Sequence, residues 1–322
     1  MLLFCLLILT SLLSLVSGKY PLGLNELWHS LITKGDKQSN TDIVLWHLRL
    51  PRLMAAIVVG AALAAAGSTY QAMFRNPLVS PDILGVSAGA GLGAVLAIYM
   101  AMPLAGIQFF AFVGGLLAVA LVYLTSLSSR HFDPVLVLVL AGVAIGSLLA
   151  AGISLMKILA DPYSQLASMT FWLLGGLNSV SYDEILWVSL LILLGLMPLF
   201  LLRWRVNLLS LADLEAQSLG LNTSLLRLIL IVCATLITAA AVSFTGIIAW
   251  VGLVIPHIAR ILVGPEFSRL MPTSLLIGAI FLTITDTIAR NVATIELPLG
   301  VLTSLIGAPF FLFLLLKGRH HD

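Results

Sequence analysis

Five residues, Gly85-Val86-Ser87-Ala88-Gly89, have the Gly-x-Ser-x-Gly spacing of a nucleophile elbow, where a sharp strand-to-helix turn exposes a serine hydroxyl for attack on a carbonyl. That chemistry needs a histidine within hydrogen-bond reach, and His257 is the candidate inside an apolar run. The pentad opens a Gly/Ser/Ala-rich apolar stretch in which such patterns recur by chance, so helix packing explains it better than an intramembrane protease does. No Gly-x-x-x-x-Gly-Lys-Ser/Thr run occurs, so any ATP and Mg that energise this chain belong to another subunit. Ion-coupled secondary carriers, a rival class, place carboxylates or histidines at bilayer depth. Here His257, Arg260 and Asp286 enter apolar runs, each toward an end, and Asp286 stands i, i+4 to Arg290, a spacing that lets the pair neutralise itself. Cys5 and Cys233 both lie in apolar runs and suggest neither a disulfide framework nor a metal site. The expectation is a chain that binds no cofactor and is not an enzyme.

The elements that hold these residues follow from composition. Of 322 residues, 60% are apolar and 9% charged. With glycine counted and tyrosine left out, about two-thirds is apolar, against roughly 45–50% in soluble domains. A water-soluble globule is excluded. The net charge of +2 leaves no basic face for nucleic acid. Long uncharged runs at 2–16, 53–73, 83–102, 107–127, 135–156, 185–202, 225–242, 247–263, 271–288 and 297–316 predict an all-α polytopic membrane protein with about ten transmembrane helices, as a single domain over 1–322. The first run is short and followed by Ser17-Gly18, but it lacks the basic n-region of a signal peptide.

An even number of spans puts both termini on one side, and the tail Lys317-Gly318-Arg319-His320-His321 assigns that side to the cytoplasm. Arg75, Arg130, Arg203, Arg205, Arg227, Arg260, Arg269, Lys317 and Arg319 then fall inside, and Lys19, Lys34, Lys37, Arg49, Arg52, Lys157 and Arg290 outside. Five of the outer seven lie between the first two spans, which is basic on the wrong side and so basic for a reason of its own. Gly85, Gly89 and Gly93, with Gly142 and Gly146, recur at the spacing that lets membrane helices approach closely. In the inner loop, about 203–227, Ser210 and Asp213 look like a helix start and Gly220 like a C′ residue. Residues 211–219 therefore read as a short helix with Leu211, Leu214 and Leu219 apolar. The polar set Asp213, Glu215, Gln217 and Ser218 suits a protein partner better than lipid.

Several stretches together resemble the FecCD/BtuC-type permease subunits of binding-protein-dependent ABC importers for iron-siderophores, haem and vitamin B12. They are Arg49-Leu50-Pro51-Arg52, Gly60-Ala61-Ala62-Leu63, Arg75-Asn76-Pro77-Leu78 with Pro81-Asp82-Ile83-Leu84-Gly85-Val86, and Trp172-Leu173-Leu174-Gly175-Gly176. Further on come Gly252-Leu253-Val254-Ile255-Pro256-His257-Ile258-Ala259-Arg260, Asp286-Thr287-Ile288-Ala289-Arg290, and Glu296-Leu297-Pro298-Leu299-Gly300 leading to Gly307-Ala308-Pro309. The resemblance implies a BtuC-like fold in the bacterial inner membrane, dimeric with a second copy or a sister permease, and a translocation path at the dimer interface. It implies two cytoplasmic ATPase subunits that receive a coupling helix matching Leu211, Ala212, Asp213, Leu214, Glu215, Ala216, Gln217, Ser218, Leu219 and Gly220. It implies a periplasmic or lipid-anchored binding protein whose acidic residues dock on Arg49, Arg52 and Arg290, which would account for the misplaced positive charge. An inner gate would match Ser128 and Ser129. Residues 76–86 and the 211–220 loop look most like iron-chelate members, so the implied cargo is a ferric siderophore or ferric citrate, with vitamin B12, haem and molybdate as alternatives. Family members carry an inverted repeat of spans two to five in spans seven to ten, with no clear echo in this sequence.

Overall fold

The computed structural model describes residues 1–20, 23–33, 39–128, 134–178 and 180–318. Ser129, Lys34, Lys37, Arg130 and the tail 319–322 lie outside them. The order is α1 (Leu2–Val16), α2 (Leu24–Thr33), α3 (Asn40–Asp42), a π-wound stretch (Ile43–Arg49), α4 (Leu50–Met73), a 3-10 turn (Pro81–Leu84), α5 (Val86–Tyr99), α6 (Leu104–Ser128), α7 (Pro134–Leu159) and α8 (Gln165–Leu174). Then follow α9 (Tyr182–Asn207), α10 (Asp213–Ser218), α11 (Thr223–Thr245), α12 (Val251–Val263), α13 (Phe267–Asn291) and α14 (Leu299–Gly318). Six of these are long and apolar enough to cross a membrane: 40–73, 104–128, 135–159, 182–210, 223–245 and 267–291. The other apolar helices are shorter, in part because α5 and α12 start late, after the 3-10 turn and after an irregular stretch at 246–250.

α4 is the central helix. Small residues (Ala55, Ala56, Gly60, Ala62, Ala64, Ala65, Ala66, Gly67) line it, so it is buried almost all round by α9, α11, α12 and α13. At its C-terminal half Tyr70 and Met73 share a cluster with Leu230, Ile237 and Phe267; at its N-terminal half Ala55, Val59 and Leu63 share one with Val251, Leu282 and Leu299. The glycines read as packing residues mostly serve that purpose. A Cβ on Gly89 or Gly93 would collide with the α6 backbone at Gly114 or Phe110, and one on Gly142 with the Ile83 carbonyl, whereas Gly146 has 3.9 Å to its nearest neighbour.

A repeat is visible in the pairings, without a clear echo in the sequence. α4 packs on α12 and α13, and α11 on α5 and α6; α5 pairs with α6 and α7 as α12 pairs with α13 and α14. Both short helices begin at a left-handed residue, Gly85 (φ 76°) and Trp250 (φ 70°). Leu148, Ile158, Leu193, Met197 and Leu201 on α7 and α9 expose more than half their surface, a belt suited to lipid or a second apolar surface but not to water.

Candidate functional site

At one end of the bundle, Arg49 and Arg52 are i, i+3 neighbours across the junction of the π stretch and α4, with Pro51 at the start of α4. Arg52 Nε donates to Asp286 Oδ1 at 2.7 Å and its Nη1 to Glu296 Oε2 at 2.8 Å. Arg290 completes the node, its Nε 3.1 Å from Asp286 Oδ2, so the expected i, i+4 pair forms but shares its carboxylate with Arg52. Arg290 Nη2 also donates to Ser14 Oγ at 2.8 Å and to the Ser14 carbonyl at 3.2 Å. Arg49 donates to the carbonyls of Leu15, Val16 and Tyr20. These acceptors include last-turn carbonyls of α1, which have no partner within the helix, so two arginines cap α1 onto the bundle. Gly18 leaves the space for the Arg49 guanidinium, which a Cβ there would strike.

The three arginines thus have partners within the chain, a use that spacing alone does not reveal because most of the acceptors are main-chain oxygens. They also line an open cleft of about 250 Å³ with Lys19, His47 and a single carboxylate, Glu296. Beside it lies a larger cavity of about 550 Å³, walled by Phe171, Trp172 and Phe244 and by the polar Gln108, Asn178, Ser243, Thr245 and Glu296. Two segments quoted from the sequence meet at its floor: Gly176 N donates to the Thr245 carbonyl at 2.7 Å, and Leu299 N to that of Gly175 at 2.9 Å. Gly175 and Gly246 take φ of 68° and 71°, and a Cβ on Gly300 would stand 2.5 Å from the Leu174 carbonyl oxygen, so glycine is required where the segments cross. α8, which carries Trp172, falls between the apolar runs 135–156 and 185–202; its ten residues are too few to stand out as a span.

At the opposite end Asp213 receives Arg227 bidentately, at 2.8 and 2.9 Å, and Arg75 at 2.8 Å. Arg75 also donates to the Leu209 carbonyl. The short helix is therefore tied to the C-terminal end of α4 and the N-terminal end of α11. It runs Asp213–Ser218 rather than 211–219, because Leu211 and Ala212 are extended and the Glu215 side chain reaches back to Ala212 N at 3.3 Å. Ser210 is not its cap: its hydroxyl bonds the Asn207 carbonyl. Gly220 is the left-handed C′ residue the sequence implied, at φ 83°. Leu214 and Leu219 project, 81% and 63% exposed. The Arg227 hydrogen bonds, reinforced by Arg75, hold the Asp213 carboxyl below the ordinary carboxylate range. The resulting stabilisation is present at neutral pH and lost only as pH falls from about 4 through that lowered value.

Ser87 is in α5 and donates to Asp82, and the small cavity they share contains no histidine, which removes the nucleophile-elbow reading. Arg260 bonds Gln71 at 3.1 Å. Ser128 ends α6, bonded to the Leu124 carbonyl, and its suggested gate partner Ser129 is outside the described residues.

The sequence matches the FecCD transport family over residues 6–317. The chain belongs to that family. An iron chelatin transport system permease protein of Helicobacter pylori is 43% identical over 284 residues, 88% of this chain and 86% of the relative. The molybdate import system permease protein MolB of Haemophilus influenzae is 36% identical, covering 97% of this chain and 93% of its own. The solved structure of a metal-chelate type ABC transporter in an inward-facing conformation superposes with a TM-score of 0.89 at 36% identity, over 98% of this chain and 97% of that one. The FecCD chain is accordingly an integral membrane ABC importer permease, all-helical with no strand among the described residues, and not itself the catalytic subunit.

Proposed function

We propose that this permease carries a ferric chelate, a siderophore complex or ferric citrate, across the bacterial inner membrane by ATP-driven alternating access. The cavity beside the arginine node carries the choice of cargo. At about 550 Å³ it has the size of a site for a drug-sized molecule, and a tetrahedral oxyanion would leave most of it empty. Glu296 is the one charged side chain among the described residues of its wall, so it is size rather than charge that separates a bulky chelate from a small oxyanion. The relative named for iron chelatin, at 43% identity, favours the same cargo. Vitamin B12 and haem share the bulk and are the second reading.

In this reading the chain is one domain of about ten spans with cytoplasmic termini, the shorter helices crossing in company with the irregular stretches that precede them. Two such subunits, identical or sister, enclose the path, and the uncovered apolar face of α7 supports a partner there. Two ATPase subunits, holding ATP and Mg, take the projecting Leu214 and Leu219; a binding protein presents acidic groups to the Lys19, Arg49, Arg52 and Arg290 cleft. The test is reconstitution in vesicles with ATPase and binding protein, following radioactive iron supplied as chelate against molybdate. Uptake that needs neither ATP nor binding protein sinks the reading in favour of a secondary carrier, and molybdate uptake in preference to iron sinks the cargo. Lys19→Glu, on the exposed rim, is expected to weaken binding-protein affinity roughly tenfold at low salt.

The inner tie gives a further expectation. Asp213→Ala removes an exposed pair with Arg75, worth about 1 kcal/mol or less, and a bidentate pair with Arg227, whose side chain is 15% exposed and loses its counter-ion, so the melting temperature should fall by a few degrees while the fold persists. Transport per ATP hydrolysed should fall roughly tenfold, because α10 would no longer pull on α4 and α11. Equal coupling in variant and parent would mean the motion enters elsewhere.

A further inference from the structure

The basic cleft and the large cavity are neighbours, and Asn178, Val180 and Glu296 line both, so these three residues form the wall between them. Glu296 fastens that wall. It sits in the short connection between α13 and α14, and its carboxylate holds one arm of Arg52 at 2.8 Å while the other arm holds Asp286. The two carboxylates are unequal. Asp286 is 1% exposed and also serves Arg290; the Glu296 side chain is 37% exposed and has no second arginine. An acid entering the cleft from outside therefore meets an Arg52 whose exchangeable partner is Glu296. The rest of the connection is held by Lys19 Nζ on the Thr294 carbonyl at 2.6 Å, by a longer bond from Leu297 N to the Ala289 carbonyl at 3.2 Å, and by Leu299 N on Gly175, which also lines the cavity.

We propose that Glu296 is the positioning residue that couples docking to access: a partner carboxylate takes its place on Arg52, and the freed Glu296 segment opens the wall between the docking cleft and the cargo cavity. The proposal rests on the importer reading above and adds to it the residue through which an occupied cleft acts on the cavity. It also gives a reason for a carboxylate to stand among Lys19, Arg49, Arg52 and Arg290, where it would otherwise only oppose an acidic partner.

The test uses the full chain in nanodiscs, alone, with Cys5→Ser and Cys233→Ala so that one introduced thiol reports. Ser243→Cys lines the cavity, and its labelling by a charged, membrane-impermeant maleimide reads access. Glu296→Gln keeps the shape and removes the latch, and should raise the labelling rate roughly tenfold. Arg52→Lys keeps the charge for Asp286 but cannot fork to two carboxylates, and should raise it similarly. The double variant should be no faster than either single one, since both break the same link. A reporter at Thr238→Cys, in the separate small cavity beside Asp82, should stay slow throughout, which distinguishes opening of this wall from general loosening. Labelling of Ser243→Cys in Glu296→Gln at the parental rate overturns the latch, as does equal acceleration at Thr238→Cys. No ATPase or binding protein is present, so that failure leaves the importer reading standing, while loss of ATP-dependent uptake with an intact latch would overturn the importer reading alone.

Discussion

Gly67→Ala is expected to unseat α12 from the central helix and lower the melting temperature in detergent by on the order of 10 °C. A Cβ on Gly67 would lie inside the contact distance of the carbonyl oxygen, carbonyl carbon and Cα of Gly252, all backbone atoms that no rotamer change can move. Gly252 in turn packs on Pro81 and on the Leu63 carbonyl, so α12 cannot retreat without also disturbing the turn that starts α5. Overpacking a core usually costs about 1–3 kcal/mol and more where backbone must shift; at roughly 2–4 °C per kcal/mol, the upper end of that cost, which a backbone clash calls for, gives the stated fall. Gly60→Ala should behave alike, because Gly60 and Gly278 face each other across the α4–α13 crossing with each carbonyl in the other's Cβ position. Gly146→Ala is the control: its Cβ has room, and alanine's better helix propensity should leave the protein as stable or about 1 kcal/mol more so. Thermal unfolding of the three purified variants decides it. A Gly67→Ala protein that melts with Gly146→Ala would mean that these helices slide freely.

The same contrast shows which features were legible. Glycines at intervals of four report close helix approach, and Gly89, Gly93 and Gly142 do approach; spacing could not show that Gly146 has space, or that Gly67, outside any such series, has none. The i, i+4 signal found Asp286 with Arg290, since both ends lie on one helix. It could not find Arg52 or Glu296, because a contact 234 residues away in sequence leaves no periodicity. The excess of positive charge between the first two spans marks that segment as unusual, but it gives no sign of α2 and α3 within it. Short helices with mixed polarity look like loops to any reading that searches for membrane-length runs, and α8 was missed for the same reason. At the other end Gly220 was readable because a left-handed residue after a helix is a local requirement. The start of α10 was not, since a glutamate reaching back to a backbone amide can replace a serine cap.

Asp286→Ala should be the most damaging exchange of a charged residue. Asp286 is 1% exposed and neutralises two guanidinium groups that are themselves only about a tenth exposed, and its loss leaves Arg49, Arg52 and Arg290 with Glu296 as the carboxylate in the cluster. Breaking a buried pair by removing one partner typically costs about 3–5 kcal/mol, because the charge left behind has neither water nor a counter-ion. Arg290→Ala in the same chain should recover part of that loss by removing one stranded cation. Recovery should be incomplete, since Arg290 also caps the end of α1 through Ser14. The surface pair Glu266–Arg269 gives the scale for comparison: Arg269 is 73% exposed, and Arg269→Ala should change stability by no more than about 0.5 kcal/mol. Melting temperatures of the two single variants and the double variant form the cycle that separates the stranded charge from the lost cap. If Asp286→Ala proves as mild as Arg269→Ala, the node does not hold α4, α13 and α1 together, and its arginines are free to serve a docking partner without cost to the fold.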